Sequence, residues 1–233
     1  MGSHAGLDGA RSGLYSEIVR IAAELSPRYV VIENVAKLLH YRQRVERDFA
    51  ATGYGLIWQV CEASDVGAPH KRRRVFALAV RGAEGSIVLP RPSPQRDLFA
   101  PRWQGGDADQ LWPTLCSDTR STRAAMFKQG GEPLGHAVRW PTGRTDERPP
   151  GVVNPAWCAL LMGYPAGWTD PTATPGAHAW PLGRGAAQAP HEPPRLVAEG
   201  SVRHRAERLQ ALGNAVVPQQ AAAALARMVE VAT

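Results

Sequence analysis

The chain has 233 residues, 44% hydrophobic and 21% charged, enough for one domain with a real core or for one domain and a small lobe. Its 27 Lys and Arg outnumber 21 Asp and Glu, and the formal net charge of +6 favours a polyanionic partner such as nucleic acid. Three scattered cysteines, Cys61, Cys116 and Cys158, exclude a disulfide framework and a Cys-x-x-Cys zinc site; no apolar run spans a membrane and no signal peptide is evident, so a cytoplasmic protein is expected.

Residues 1–13 are Gly-rich and aperiodic. Ser12 is a candidate start cap for a helix over 14–25, with Leu14, Ile18, Ile21, Ala22 and Leu25 at helical spacing and Pro27 beyond its end. Tyr29 to Ile32 is a continuous apolar run, as in a buried parallel strand, and stops at Glu33-Asn34-Val35. A second helix is predicted over 42–52, with Val45 and Phe49 inward, then a turn at Gly53 and Gly55 and a strand over 56–60. Val75 to Val80 reads as another buried strand. Helices alternating with strands imply an α/β sheet, with room for one antiparallel strand at an edge.

The stretch SDVGAPHKRRRVFALAV at 64–80 is the organising one. Asp65, Gly67 and Pro69 make a turn, and His70, Lys71, Arg72, Arg73 and Arg74 follow in a row before the strand. Two readings stand: a solvated turn whose charges block edge pairing, or an anion-facing rim with Arg72 and Arg74 directed into a site. Glu33 also has two. At the carboxyl end of a strand it sits where open α/β sheets bind ligands, partly desolvated and able to hold a proton. Equally, it caps the next loop or pairs with an arginine such as Arg74.

Composition changes near Gly82. Seventeen of the 20 prolines lie between Pro90 and Pro194, as do six of the 7 tryptophans. Loop-rich sequence of this length is usually functional or disordered, and the tryptophans argue against full disorder. The expected organisation is catalytic α/β sequence at 1–82, an irregular lobe at 83–153, a connecting segment at 154–204 with a mobile linker over 171–200, and closing helices at 205–233. Pro218 suits the first position of the last helix, with Leu225, Met228 and Val229 as its packing stripe.

YVVIENV at 29–35, SDVGAPHKRRRVF at 64–76 and RLQALGNAVVP at 208–218, in this order, resemble the DNA cytosine-5 methyltransferase family. GLDGARSGLYSEI at 6–18 and LLMGYPAGWT at 160–169 are similar to neighbouring family segments, so the resemblance covers 6–80 and 154–230. It implies a partial doubly wound methyltransferase sheet with a small irregular target-recognition lobe. It implies that Glu33 bonds N3 and N4 of a flipped cytosine, with Asn34 and Val35 shaping the pocket. Arg74 matches the arginine that reaches the cytosine O2. Arg72 matches the one supporting the DNA backbone and the active-site loop. His70 stands where the family usually has Gln. Arg11, His70, Lys71 and Arg73 are the implied DNA contacts. Asn214 and Ala215, with Leu14, are the implied contacts to the cofactor S-adenosylmethionine. The partner is double-stranded DNA.

The family's Pro-Cys nucleophile and its Gly-rich cofactor turn are not in this sequence. None of Cys61, Cys116 and Cys158 follows a proline, and Gly53-Tyr54-Gly55 joins a helix to a strand, the wrong order for a cofactor turn. The expectation is therefore a C-terminal portion that begins inside the catalytic loop and either works with a complementing N-terminal chain or is a fragment of a truncated gene. The alternative is a catalytically inactive DNA-binding remnant. Such a portion is expected to expose an apolar sheet edge and helix faces.

Overall fold

A computed structural model describes residues 14–91, 111–115, 134–139 and 151–233. Ser12, Arg11 and Cys116 lie outside them. The chain divides into two compact units. The first comprises residues 1–61, 73–91 and 222–233, and the second 62–72 and 92–221. The chain thus crosses between units at 61, 72, 91 and 221, where the sequence suggested boundaries at 82, 153 and 204.

In the first unit, α1 (Leu14–Leu25) leads to β1 (Tyr29–Val35), a 3₁₀ turn (Ala36–Tyr41) and α2 (Arg42–Ala50). β2 (Tyr54–Cys61), β3 (Arg74–Arg81) and β4 (Ser86–Leu89) complete a four-stranded sheet in the order β1-β3-β2-β4. β3 runs antiparallel to both β1 and β2, and β4 pairs parallel to β2. The antiparallel strand expected at an edge is therefore internal, and β1 is the edge. This corrects the reading of residues 29–32 as a buried parallel strand. Only Ile32 of β1 is buried, because among the described residues its far side meets no strand. β2 and β3 are buried almost throughout, as their unbroken apolar runs require. β4 has no counterpart in the sequence reading and lies inside the span expected to be an irregular lobe.

One sheet face carries Ile32, Leu56, Trp58, Val75, Ala77 and Ala79, packed with Tyr15, Ala22, Val45 and Phe49 from the helices. α1 uses only part of its apolar surface there. Leu14 and Leu25 remain 70% and 74% exposed, and Ile18 and Ile21 are exposed too. Val31 and Val35 of β1 are exposed as well. The other face meets the last helix, α6 (Pro218–Ala232), where Arg227 donates to Gln59 Oε1 at 3.0 Å. Gln220, Ala223, Ala224 and Met228 are its buried positions; Val229 of the expected stripe is exposed.

The second unit contains α3 (Leu134–Arg139), a two-residue pair β5 (Val152–Val153) and β6 (Leu196–Val197), α4 (Pro155–Leu161) and α5 (Arg205–Asn214). Asn154 caps α4 by accepting the Ala156 N–H, and Pro155 takes the first helical position. Trp112, Trp157, Leu161, Met162 and Leu212 centre its core. Residues 171–200, expected to be a mobile linker, are irregular but stitched down by Glu192. That buried carboxylate accepts the Trp157 indole N–H (3.0 Å), the Leu182 N–H (2.9 Å), the Ala189 N–H (3.1 Å) and Arg195 Nε (3.1 Å).

Candidate active site

Pairing between β1 and β3 places Glu33 opposite Phe76 and Val35 opposite Arg74. Positions 33 and 74 are therefore diagonal neighbours on one face, within reach of long side chains. Arg74 Nε lies 3.2 Å from Glu33 Oε1, and Arg74 Nη1 donates to the Arg73 carbonyl at 2.9 Å. The Glu33 side chain is partly covered, 31% exposed, and the pairing with Arg74 that the sequence also allowed is present. Asn34 is also exposed, its Oδ1 accepting the Val35 N–H at 2.8 Å.

The basic run divides by burial. Lys71 and Arg73 are exposed, whereas His70 and Arg72 are buried. His70 forms an isolated bridge with Trp112, so it does not belong to an exposed DNA-facing row. Arg72 was expected at a rim, and the structure turns it inward at 2% exposure. Its Nη1 donates to the Leu115 carbonyl at 2.9 Å, and its Nη2 to the carbonyls of Gly213 (3.0 Å) and Ala215 (2.5 Å). Its own N–H donates to Thr114 Oγ1 at 3.1 Å, and its carbonyl accepts from Gln220 Nε2 at 2.9 Å. The backbone here is left-handed, φ +34°, an uncommon state for a residue with a side chain.

The turn after α5 is thus held from within. Tyr164 adds a third grip, its hydroxyl donating to the Val216 carbonyl at 2.8 Å, and burial pushes that phenol up. Asn214, expected to contact a cofactor, is exposed, and Ala215 is half-buried. Leu14 is exposed at the start of α1. Gly53, at φ +84°, turns the chain after α2, and a Cβ at Gly55 would lie 2.9 Å from the Ala83 carbonyl oxygen. These glycines serve a turn and a close backbone approach.

Neither described cysteine suits a nucleophile. Cys61 is buried in β2; Cys158 is fully buried in α4, and burial pushes its thiol up to about 12. Among the described residues no cluster of His, Cys, Asp or Glu could hold a metal ion, and no helix is long and apolar enough to cross a membrane.

The sequence reading missed Thr114, Tyr164 and Gln220, which support the turn. Tyr164 lies in the segment LLMGYPAGWT at 160–169, but no local pattern marks the other two, because their partners are remote in sequence.

Residues 1–102 match the family model for C-5 cytosine-specific DNA methylases. The chain is 39% identical over 82 residues to the Type II methyltransferase M.CviJI of Paramecium bursaria Chlorella virus IL3A, an alignment covering 34% of this chain and 22% of that protein. It is 29% identical over 160 residues to the Type II methyltransferase M.NgoMIV of Neisseria gonorrhoeae, covering 60% of this chain and 51% of that protein. The matched region spans about half the length of these relatives or less. The crystal structure of the S. pombe Dnmt2 methyltransferase shares the fold, with a TM-score of 0.50 and 14% identity over 100% of this chain and 75% of that one. The methylase-model match over residues 1–102 and the Type II relatives together show this chain to be similar to the C-5 cytosine-specific DNA methylases.

Proposed function

We propose that the chain supplies the base-recognition part of a DNA cytosine-5 methyltransferase. The observation that carries this is the Glu33–Arg74 pair, a carboxyl and a guanidinium side by side and partly accessible, where β1 ends and β3 begins. A cytosine presents N3, the N4 amino group and O2 along one edge. A protonated Glu33 donates to N3 while its other oxygen accepts from N4–H, and Arg74 donates to O2. Proton delivery at N3 makes C6 electrophilic toward a thiolate. Because the substrate base must leave its stack, the pair has to be reachable from solvent. S-adenosylmethionine supplies the methyl group when bound, and Asn214 and Ala215 are the residues of this chain that would flank it.

The sequence has no Pro-Cys pair, and on this reading a Pro-Cys-bearing segment would supply the attacking thiolate. The exposed stripe Leu14, Ile18, Ile21 and Leu25, and the β1 edge with Val31 and Val35, support a seat for that segment. Apolar surface of this kind beside an open strand edge is commonly covered by a partner element. Lys71 and Arg73 remain available for DNA phosphates.

The test is methyl transfer from tritiated S-adenosylmethionine to DNA by this chain mixed with a Pro-Cys-bearing N-terminal segment of a relative. DNA-dependent incorporation that needs both parts supports the reading. No incorporation from a mixture shown to assemble would favour the inactive DNA-binding alternative.

A further inference from the structure

We infer that Arg72 is a positioning residue that couples the segment 111–115 to the turn 213–216. Target reading and cofactor holding would then be linked through one buried guanidinium. What the two ends bind rests on the function proposed above; the coupling itself rests on contacts.

Arg72 bonds through its backbone N–H, its backbone carbonyl and both terminal nitrogens. Its partners lie in three places far apart in sequence: Thr114 and Leu115, Gly213 and Ala215, and Gln220. A guanidinium is a rigid planar fork. The Leu115 carbonyl on one prong and the Gly213 and Ala215 carbonyls on the other cannot shift independently. Those two carbonyls flank Asn214, so the fork sets where that exposed side chain stands.

Filling space alone does not account for this residue. Burying a cation is costly, and an apolar side chain of similar volume often replaces it without loss. The left-handed backbone at Arg72 adds strain, of the kind that accumulates where geometry matters to function. Both costs are borne at one residue that joins two remote segments.

Two amides report on the two ends. The Trp112 N–H is bonded to the Pro69 carbonyl at 2.7 Å, and the Ala215 N–H to the Leu212 carbonyl at 3.2 Å. Hydrogen exchange is measured on the full chain and on Arg72→Lys and Thr114→Val, with no ligand. Lysine keeps the charge and loses the fork. Exchange at both Trp112 and Ala215 should quicken about tenfold or more, the scale of removing one charge-assisted bond. Thr114→Val removes the acceptor for the Arg72 N–H and should quicken Ala215 as well. Amides of α4 should keep their wild-type rates. The inference is overturned if Thr114→Val changes Trp112 alone, or if Arg72→Lys quickens α4 equally, since that is general loosening. In the reconstituted pair, Arg72→Lys should raise the KM for S-adenosylmethionine with little change in kcat; a fall in kcat at constant KM also overturns it. A wild-type pair that never engages the cofactor would sink the proposed function, and the exchange measurements would still decide the coupling.

Discussion

Arg74 and Glu33 meet diagonally across the β1–β3 pair, Nε to Oε1 at 3.2 Å, with Glu33 the more exposed partner. Their side chains are only 15% and 31% exposed, so the cost of desolvation offsets much of the attraction and the pair adds little net stability. Its placement therefore weighs more for chemistry than for folding.

Glu33→Gln in the reconstituted pair should cut single-turnover methylation by about 10²–10⁴, the usual worth of general acid catalysis. Glutamine is nearly isosteric and cannot deliver the proton, so assembly should be unchanged. Methylation within a factor of about two of wild type, far below that acid contribution, from a normally assembled mutant would rule the assignment out.

The chain by itself should transfer no methyl group. Cys158 is fully buried with its thiol pushed up to about 12, and Cys61 is buried. Tritium incorporation into mixed-sequence DNA by the purified chain alone would contradict this.

Duplex DNA binding should be weak and fall steeply with salt. Replacing Lys71 or Arg73 by Gln should lower the slope of log K against log salt by about 0.9 for each phosphate left without its cation. His70→Gln should leave that slope alone, since the ring is buried. Titrations at several salt concentrations, read by fluorescence anisotropy, separate the three.

Ile18→Gln with Ile21→Gln should weaken binding of the complementing segment while shifting the chain's own stability by only about 0.5 kcal/mol, as is usual for exposed positions. Both side chains are exposed on α1. Equal affinity for the segment before and after the change would mean that it docks elsewhere.

Lowering pH should loosen the second unit through Glu192. Burial pushes its carboxyl up, but the Leu182 N–H, Arg195 and the Ala189 N–H outweigh that and hold it below the ordinary glutamate range. A depressed carboxyl stabilises the fold above the unfolded value of about 4.3 and loses that stabilisation as pH falls through the folded value. Thermal melts from pH 7 downward should show Tm falling below about pH 4.3. Glu192→Gln should be less stable at pH 7 and flatter in that window. Parallel curves for the two proteins would dismiss the carboxylate as the cause.

β2 and β3 were legible because both their faces are covered, which forces unbroken apolar runs. β1 looks the same in sequence, yet only Ile32 is buried. Apolar composition records what a strand can meet, and here a sheet edge meets solvent. The Glu33–Arg74 contact depends on register, which no short motif states. Five cationic or protonatable residues in a row give no sign that His70 and Arg72 turn inward while Lys71 and Arg73 face out. Glu192 was unreadable for a similar reason: Trp157 and Leu182 lie 35 and 10 residues away, so a Pro-rich stretch looks like a tether.

The insertion of β3 between β1 and β2 also sets an order of events during synthesis. β1 has no described strand neighbour until residues 74–81 exist, so it waits about forty residues for its first ladder. Residues 222–233 then return to the same unit. A chain released before residue 222 would lack part of that unit, and should be far easier prey for proteases than one that contains residues 222–233.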